Sequence, residues 1–224
     1  MKSEARITAF FDVDDTLISI KSMFSFIDHL QSHHPAALGA RFEHYTARLQ
    51  DAFTQKLPRE EVNTRYYRLL EDVPVALALQ AGEDWYQRHA SHTAFFIVPV
   101  LTALREHQAQ GHNVAFVSGS FEAPLRPLAN ALGVSDLLCA DLETHEAHYT
   151  GRLRSPPAIG KGKASRIASY ARERDLDLTA CFAYGDDLSD LPMLRAVGQP
   201  RLVNPSATLR RKFTHCRQVA VIPT

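Results

Sequence analysis

The residues best suited to chemistry are the carboxylates of the run AFFDVDDTL, residues 9–17, in which Asp12, Asp14 and Asp15 follow a short apolar stretch. That stretch reads as a buried strand whose carboxyl end opens into an acidic loop. Two like charges about 4 Å apart repel by roughly 4 kcal/mol at an effective dielectric near 20, so a cation is expected among them. A second acidic group, Asp186, Asp187 and Asp190, stands far along the chain in YGDDLSD. A carboxylate attacks a phosphate dianion poorly because like charges repel, and a hard divalent cation with oxygen ligands removes that obstacle. Together the two clusters predict a Mg2+ site.

Phosphoryl transfer also needs groups that hold the equatorial oxygens while charge spreads over them. Ser118, with the backbone of Gly119, offers a hydroxyl and amide donors. Lys163, at the start of a predicted helix, offers a fixed positive charge. Thr16 closes the acidic loop and is placed, with Gly119 and Lys21, among the residues that face the substrate.

These groups must be positioned by the rest of the chain. Residues 23–91 show only helical periodicity: Leu38, Phe42, Tyr45, Leu49 and Phe53 recur at spacings of three and four, as do Val62, Tyr66 and Leu69. Pro35, Pro58 and Pro74 divide this region into about four helices. Strands then alternate with helices. Strands are predicted at 113–117, 137–140, 180–184, 201–203 and 219–222, helices at 100–110, 122–132, 163–174 and 191–197, and a small hairpin within 141–153. This alternation marks an α/β fold with a parallel, Rossmann-like sheet. The core is expected from residues 1–18 and 95–224, with an all-helical insertion at 19–94. The polar clusters at 12–16, 118–120 and 186–190 each follow a predicted strand, so all three should lie at the carboxyl edge of one sheet, where open α/β sheets bind ligands.

Composition narrows the class. The 224 residues carry 25 Lys plus Arg against 25 Asp plus Glu, which leaves no basic footprint for nucleic acid or an anionic membrane. Arg210, Arg211 and Lys212 read as a solvated helix face. Cys139, Cys181 and Cys216 have no CxxC spacing and read as reduced thiols, which with the lack of a signal-peptide or membrane-spanning pattern predicts a cytoplasmic protein. The histidine pairs His29/His33, His89/His92 and His145/His148 lack matched ligands and are expected to be exposed. Trp85 and the Phe and Tyr stripe of the insertion read as packing, with a few aromatics available to line the substrate entrance. No feature specifies an oligomeric state.

Four motifs in order, DVDDT, the Ser118 of FVSGS, the Lys163 of GKGKASRI and GDDLSD, resemble the haloacid dehalogenase superfamily over almost the whole chain. The insertion is similar to the C1 cap of its phosphoserine phosphatase branch, subfamily IB. The resemblance implies that Asp12 attacks phosphorus to give an aspartyl-phosphate and that Asp14 serves as acid and then base. It assigns Mg2+ to the Asp12 carboxylate, the Asp14 backbone carbonyl and Asp186, with Asp190 supporting; Asp187 stands where related sequences often carry a small residue. Of Lys161 and Lys163, only Lys163 keeps the family spacing to Asp186 without a gap.

Substrate recognition departs from that branch. Phosphoserine phosphatases carry an acidic residue nine positions after the nucleophile, where this chain has Lys21. An ungapped comparison places Tyr66 where those enzymes have a carboxylate-binding arginine, with Arg65 available if the register shifts. The expectation is a Mg2+-dependent phosphatase of a small phosphorylated metabolite other than phosphoserine, with Lys21 facing an anionic or hydroxyl-rich leaving group. A phosphotransferase or phosphomutase would use the same residues, and a catalytically silent binding protein would keep the same fold.

Overall fold

The strand β1 (Thr8–Phe11) is buried along its length, and its side chains alternate between two apolar layers. Ala9 and Phe11 enter one cluster and Phe10 the other, the period-two pattern of a strand covered on both faces. The computed structural model describes residues 7–55, 57–214 and 220–222, and only the backbone of 46–50 and 53. Cys216 and Val219 therefore lie outside the described residues, as do the side chains of Leu49 and Phe53.

After β1 the chain runs through α1 (Ser22–His33), the short α2 (Pro35–Leu38), α3 (Ala40–Thr54) and α4 (Arg59–Tyr67). A 3-10 turn, Arg68–Leu70, leads to α5 (Val75–Ala90). The region expected to hold about four helices thus holds five among the described residues, because Pro35 opens a helix of its own. Pro58 and Pro74 occupy the positions just before α4 and α5. Proline is tolerated at helix starts, where its missing N–H would have no intrahelical partner.

The chain continues through α6 (Val98–Ala109), β2 (Asn113–Phe121), α7 (Glu122–Leu132) and β3 (Asp136–Ala140). The expected hairpin follows as β4 (Leu142–His145) and β5 (His148–Leu153), turning through Glu146 and Ala147 at positive φ. Then come α8 (Lys161–Arg174), β6 (Phe182–Gly185), a 3-10 turn Leu188–Asp190, α9 (Leu191–Arg195), β7 (Gln199–Val203), α10 (Ala207–Arg211) and β8 (Ala220–Ile222).

Six strands form one parallel sheet in the order β3-β2-β1-β6-β7-β8. The winding direction reverses between β1 and β6, which opens a crevice at their carboxyl ends. One expectation is corrected: β2 does not end before Ser118 but runs to Phe121, with a register irregularity against β3 between Val117 and Phe121. Local bulging lets Ser118 and Gly119 remain strand residues while leaving the regular ladder.

The insertion shares the core of the sheet. Phe26, Tyr67 and Trp85 belong to the same buried cluster as Phe11 and Phe116. Its two connections to the sheet domain are bonded to each other: Ile97 N–H donates to Leu17 O (2.9 Å), and Ser19 N–H donates to Phe95 O (2.9 Å). The expectation for histidines is corrected in part. His29 is buried and stacked on His33 at 4.2 Å, and His89 is half-buried with Nε2 3.0 Å from Ser25 Oγ, because both lie on the inner faces of their helices. Cys139 and Cys181 are free thiols, and Arg210, Arg211 and Lys212 are exposed. No helix among the described residues is long and apolar enough to cross a membrane.

Candidate active site

Sheet register brings the acidic clusters together. Phe11 pairs with Phe116 on one side and Tyr184 on the other, so Asp12 and Asp186, just past β1 and β6, and Ser118, within β2, lie within about one residue of the same level. Asp12 N–H donates to Tyr184 O at 3.0 Å, which extends the pairing to the catalytic candidate itself. The carbonyl of Val13 then accepts from the amides of Leu17 (2.8 Å) and Ile18 (3.0 Å), and Asp15 adopts φ 61°. Aspartate enters the left-handed region more readily than most residues. The resulting turn sets Thr16 Oγ1 3.3 Å from Asp12 Oδ2 and 3.0 Å from Asp186 Oδ1.

On the neighbouring strand, Gly185 makes room for Asp190. A Cβ at position 185 would lie 2.7 Å from Asp190 Cβ and 2.8 Å from its Oδ2. Asp190 Oδ2 accepts from the amides of Asp186 (3.2 Å) and Asp187 (3.1 Å), while Oδ1 accepts from Lys163 Nζ at 2.6 Å. Both its oxygens therefore shape the loop and hold the lysine. Lys163, in the first turn of α8, is buried and also donates to Asp12 Oδ1 at 2.5 Å, whereas Lys161 is exposed.

The charges do not balance within this buried cluster. Carboxylate oxygens of Asp12, Asp186 and Asp190 lie within 4.8 Å of one another, against the single ammonium of Lys163. Burial, then the charge of Asp190, holds the Asp12 carboxyl well above its ordinary value despite Lys163. Burial and Asp190 push Asp186 up to about 6, and burial raises Asp14 against the opposing influence of Ser22 and Lys21. Lys163 is held above its ordinary value because Asp12 and Asp190 outweigh its burial. The Thr16 hydroxyl has one proton for its two carboxylate neighbours, which leaves one oxygen uncompensated. An excess of negative charge presented by oxygen donors fits a hard divalent cation.

Ser118 is buried, and its Oγ accepts from Ser120 N–H at 3.1 Å, so its own proton is free to be donated. Above these groups lies a cavity of about 570 Å³ that Asp12, Asp14, Ser118, Gly119, Lys163 and Asp186 line from the sheet side. Helix α4 forms the opposite wall. Along one of its faces, at spacings of four, Arg59 reaches Asp187, Asn63 Nδ2 donates to Gly119 O (2.9 Å), and Tyr67 Oη donates to the same carbonyl (2.6 Å). The polar stripe at 59, 63 and 67 was available in the sequence as a helical-period signal, but none of the three belonged to a recognised motif.

Lys21 sits on the cavity rim, with Nζ 2.7 Å from Asp15 Oδ2. Arg65 does not reach the cavity; it pairs with Glu61 at 2.6 Å on the exposed face of α4. Tyr66 lines the cavity, and its hydroxyl donates to Met23 O at 2.7 Å. Thr16 touches the acidic cluster itself.

Residues 9–195 match the family model described as haloacid dehalogenase-like hydrolase. The chain is 26% identical over 220 residues to the histidinol-phosphatase of Neisseria meningitidis serogroup C, covering 91% of this chain and 93% of that protein. A protein of unknown function from Bordetella pertussis Tohama I has a solved structure with a TM-score of 0.83 and 27% identity, covering 98% of this chain and 99% of the other. A phosphoserine phosphatase carrying a phospho-aspartyl intermediate analogue is similar in fold, with a TM-score of 0.66, 18% identity and coverage of 97% and 94%.

Proposed function

The chain belongs to the haloacid dehalogenase-like hydrolases and is a phosphatase of that family, and from this premise we propose that it is a Mg2+-dependent phosphomonoesterase acting on a small metabolite through an aspartyl-phosphate at Asp12. One observation carries the reading: Lys163 bridges Asp12 and Asp190 beneath the cavity, while Asp186, on the same loop as Asp190, brings a third carboxylate within 4.8 Å of both.

In this reading the Asp12 carboxylate attacks phosphorus as the bond to the leaving oxygen breaks. Asp14, whose raised pKa suits a group that starts protonated, gives its proton to that oxygen and then takes one from the water that releases phosphate. Ser118, the Gly119 backbone and Lys163 hold the phosphoryl oxygens. Asp12, Asp186 and the Asp14 carbonyl would hold Mg2+, which supplies charge neutralisation for the transferring group. Asp190 acts on Lys163 and the 186–187 amides as a positioning residue.

The test is release of inorganic phosphate by the Mg2+-loaded protein and its Asp12→Asn variant. Loss of at least about a thousandfold in kcat, with the fold retained, supports covalent catalysis. Substantial turnover by the variant would refute it.

A further inference from the structure

We infer that the alcohol half of the substrate has an apolar or aromatic body and carries no carboxylate, an inference that rests on the phosphatase reading above. The cavity is lined over the leaving-group side by Met23, Phe24, Leu57, Val62, Tyr66 and Ile159. Its volume of about 570 Å³ falls within the roughly 300–1,000 Å³ range of small-molecule sites. Such a wall recognises apolar surface, and it solvates a fixed negative charge poorly.

Among the described residues, each cation that lines the cavity already has a partner. Lys21 Nζ lies 2.7 Å from Asp15. Arg59 places Nη1 2.9 Å from Asp187 Oδ1 and Nη2 3.2 Å from Oδ2, a two-pronged match that uses the planar fork of the guanidinium. Arg65 points away and pairs with Glu61. Lys163 is shared by Asp12 and Asp190 at the phosphate end.

Two neutral polar side chains of the leaving-group wall have no donor left to offer. Tyr66 has spent its proton on Met23 O, and Asn63 Nδ2 is spent on Gly119 O and Met23 Sδ. Asn63 Oδ1 is a buried acceptor and offers a carboxylate no donor. A carboxylate-bearing alcohol would have to displace a formed ion pair or enter the wall unpaired. An alkyl or ring-bearing alcohol displaces only water.

The experiment compares kcat/KM of the Mg2+-loaded protein for three primary-alcohol phosphates: O-phospho-L-serine, O-phosphoethanolamine, which lacks the carboxylate, and 2-phenylethyl phosphate, which replaces both charged groups with a ring. The expected order places phosphoserine last, at least roughly tenfold below 2-phenylethyl phosphate, because a carboxylate entering the apolar wall without a partner is left unsatisfied. In Val62→Arg, which adds a cation to the same wall, that ratio should shrink by about tenfold; a ratio is insensitive to general damage to the enzyme. Phosphoserine turned over as well as or better than the ring compound overturns this inference and leaves the phosphatase reading standing. An unchanged ratio in a folded Val62→Arg protein also counts against it. Release from none of the three refutes the substrate class, and failure to form a beryllofluoride adduct at Asp12 as well would remove the phosphatase reading with it.

Discussion

Arg59 and Asp187 join the insertion to the sheet domain across the mouth of the cavity, with both carboxylate oxygens engaged by one guanidinium. Arg59 also approaches Ser189 Oγ at 3.4 Å, and Asp187 itself accepts from Ser189 N–H at 2.8 Å, so the pair rests on an ordered loop. Burial raises the Asp187 carboxyl, but Ser189 and Arg59 outweigh it and hold the group below its ordinary value. The side chains are 58% and 30% exposed, and pairs of this kind contribute about 0–1 kcal/mol to stability.

The effect of breaking the pair should therefore appear in substrate binding rather than in folding. Arg59→Ala and Asp187→Ala are each expected to raise KM by roughly two- to tenfold, with Tm nearly unchanged. The double variant should add little to either single one, because the partners act as one unit. Steady-state kinetics on all four proteins check this, and fully additive effects would show that the two residues act independently.

Asp186 gives a prediction whose sign depends on the cation. Its folded pKa is raised to about 6, so keeping it ionised at pH 7 opposes folding when no cation is bound. Asp186→Asn should thus raise the Tm of chelator-treated protein. The wild-type protein should gain about 2.7 kcal/mol at a Mg2+ concentration 100 times Kd, whereas the variant should gain little. Thermal melts with and without Mg2+ measure both effects, and equal Mg2+ shifts in the two proteins would remove Asp186 from the metal site.

His107 sets a pH limit from the far side of the sheet edge. It is buried with Nε2 2.9 Å from the Tyr184 hydroxyl and Nδ1 2.8 Å from His112 Nδ1. Burial, with lesser contributions from His112 and Arg201, pushes its pKa from 6.5 down to about 4. The unfolded chain then binds protons that the folded one refuses, so this contribution is intact above about pH 6.5 and is lost as pH falls toward 4. Tm should drop between pH 7 and pH 5, and the drop should be smaller in His107→Gln. Parallel profiles for the two proteins would assign the acid sensitivity elsewhere.

Asp12, Ser118 and Asp186 were legible in the sequence because residue types suited to phosphoryl chemistry follow predicted strands, and Lys163 because it keeps the family spacing to Asp186; the structure brings the four side chains to one cavity. Arg59 was not legible. It stands 128 residues from Asp187, and an arginine at a helix start reads locally as a solvated charge. Asn63 and Tyr67 share the helical spacing of Arg59, but the buried face of α4 is polar and aromatic, so hydrophobic periodicity gave no reason to single them out. Lys21 was visible, but its pairing with Asp15 depends on the left-handed turn at that aspartate, which spacing alone does not reveal.

The shared core also limits which part of the insertion can move, and Gly82 tests that limit. A Cβ on this residue of α5 would lie 1.9 Å from Ala123 O and 2.6 Å from Ala123 C, so α5 and α7 meet backbone to backbone. Replacing glycine by alanine in an exposed helix gains about 1 kcal/mol, but forcing extra volume into a packed contact costs about 1–3 kcal/mol. At Gly82 the clash is with backbone, which cannot rotate aside, and the loss should win. Gly82→Ala is expected to lower stability by about 1–2 kcal/mol in denaturant titration, whereas Glu83→Ala, on the exposed side of the same helix, should stay within about 0.5 kcal/mol. Such a result would mean that α5 is held against α7 as part of the fixed core. A Gly82→Ala protein as stable as the wild type would instead mean that α5 readily separates from α7.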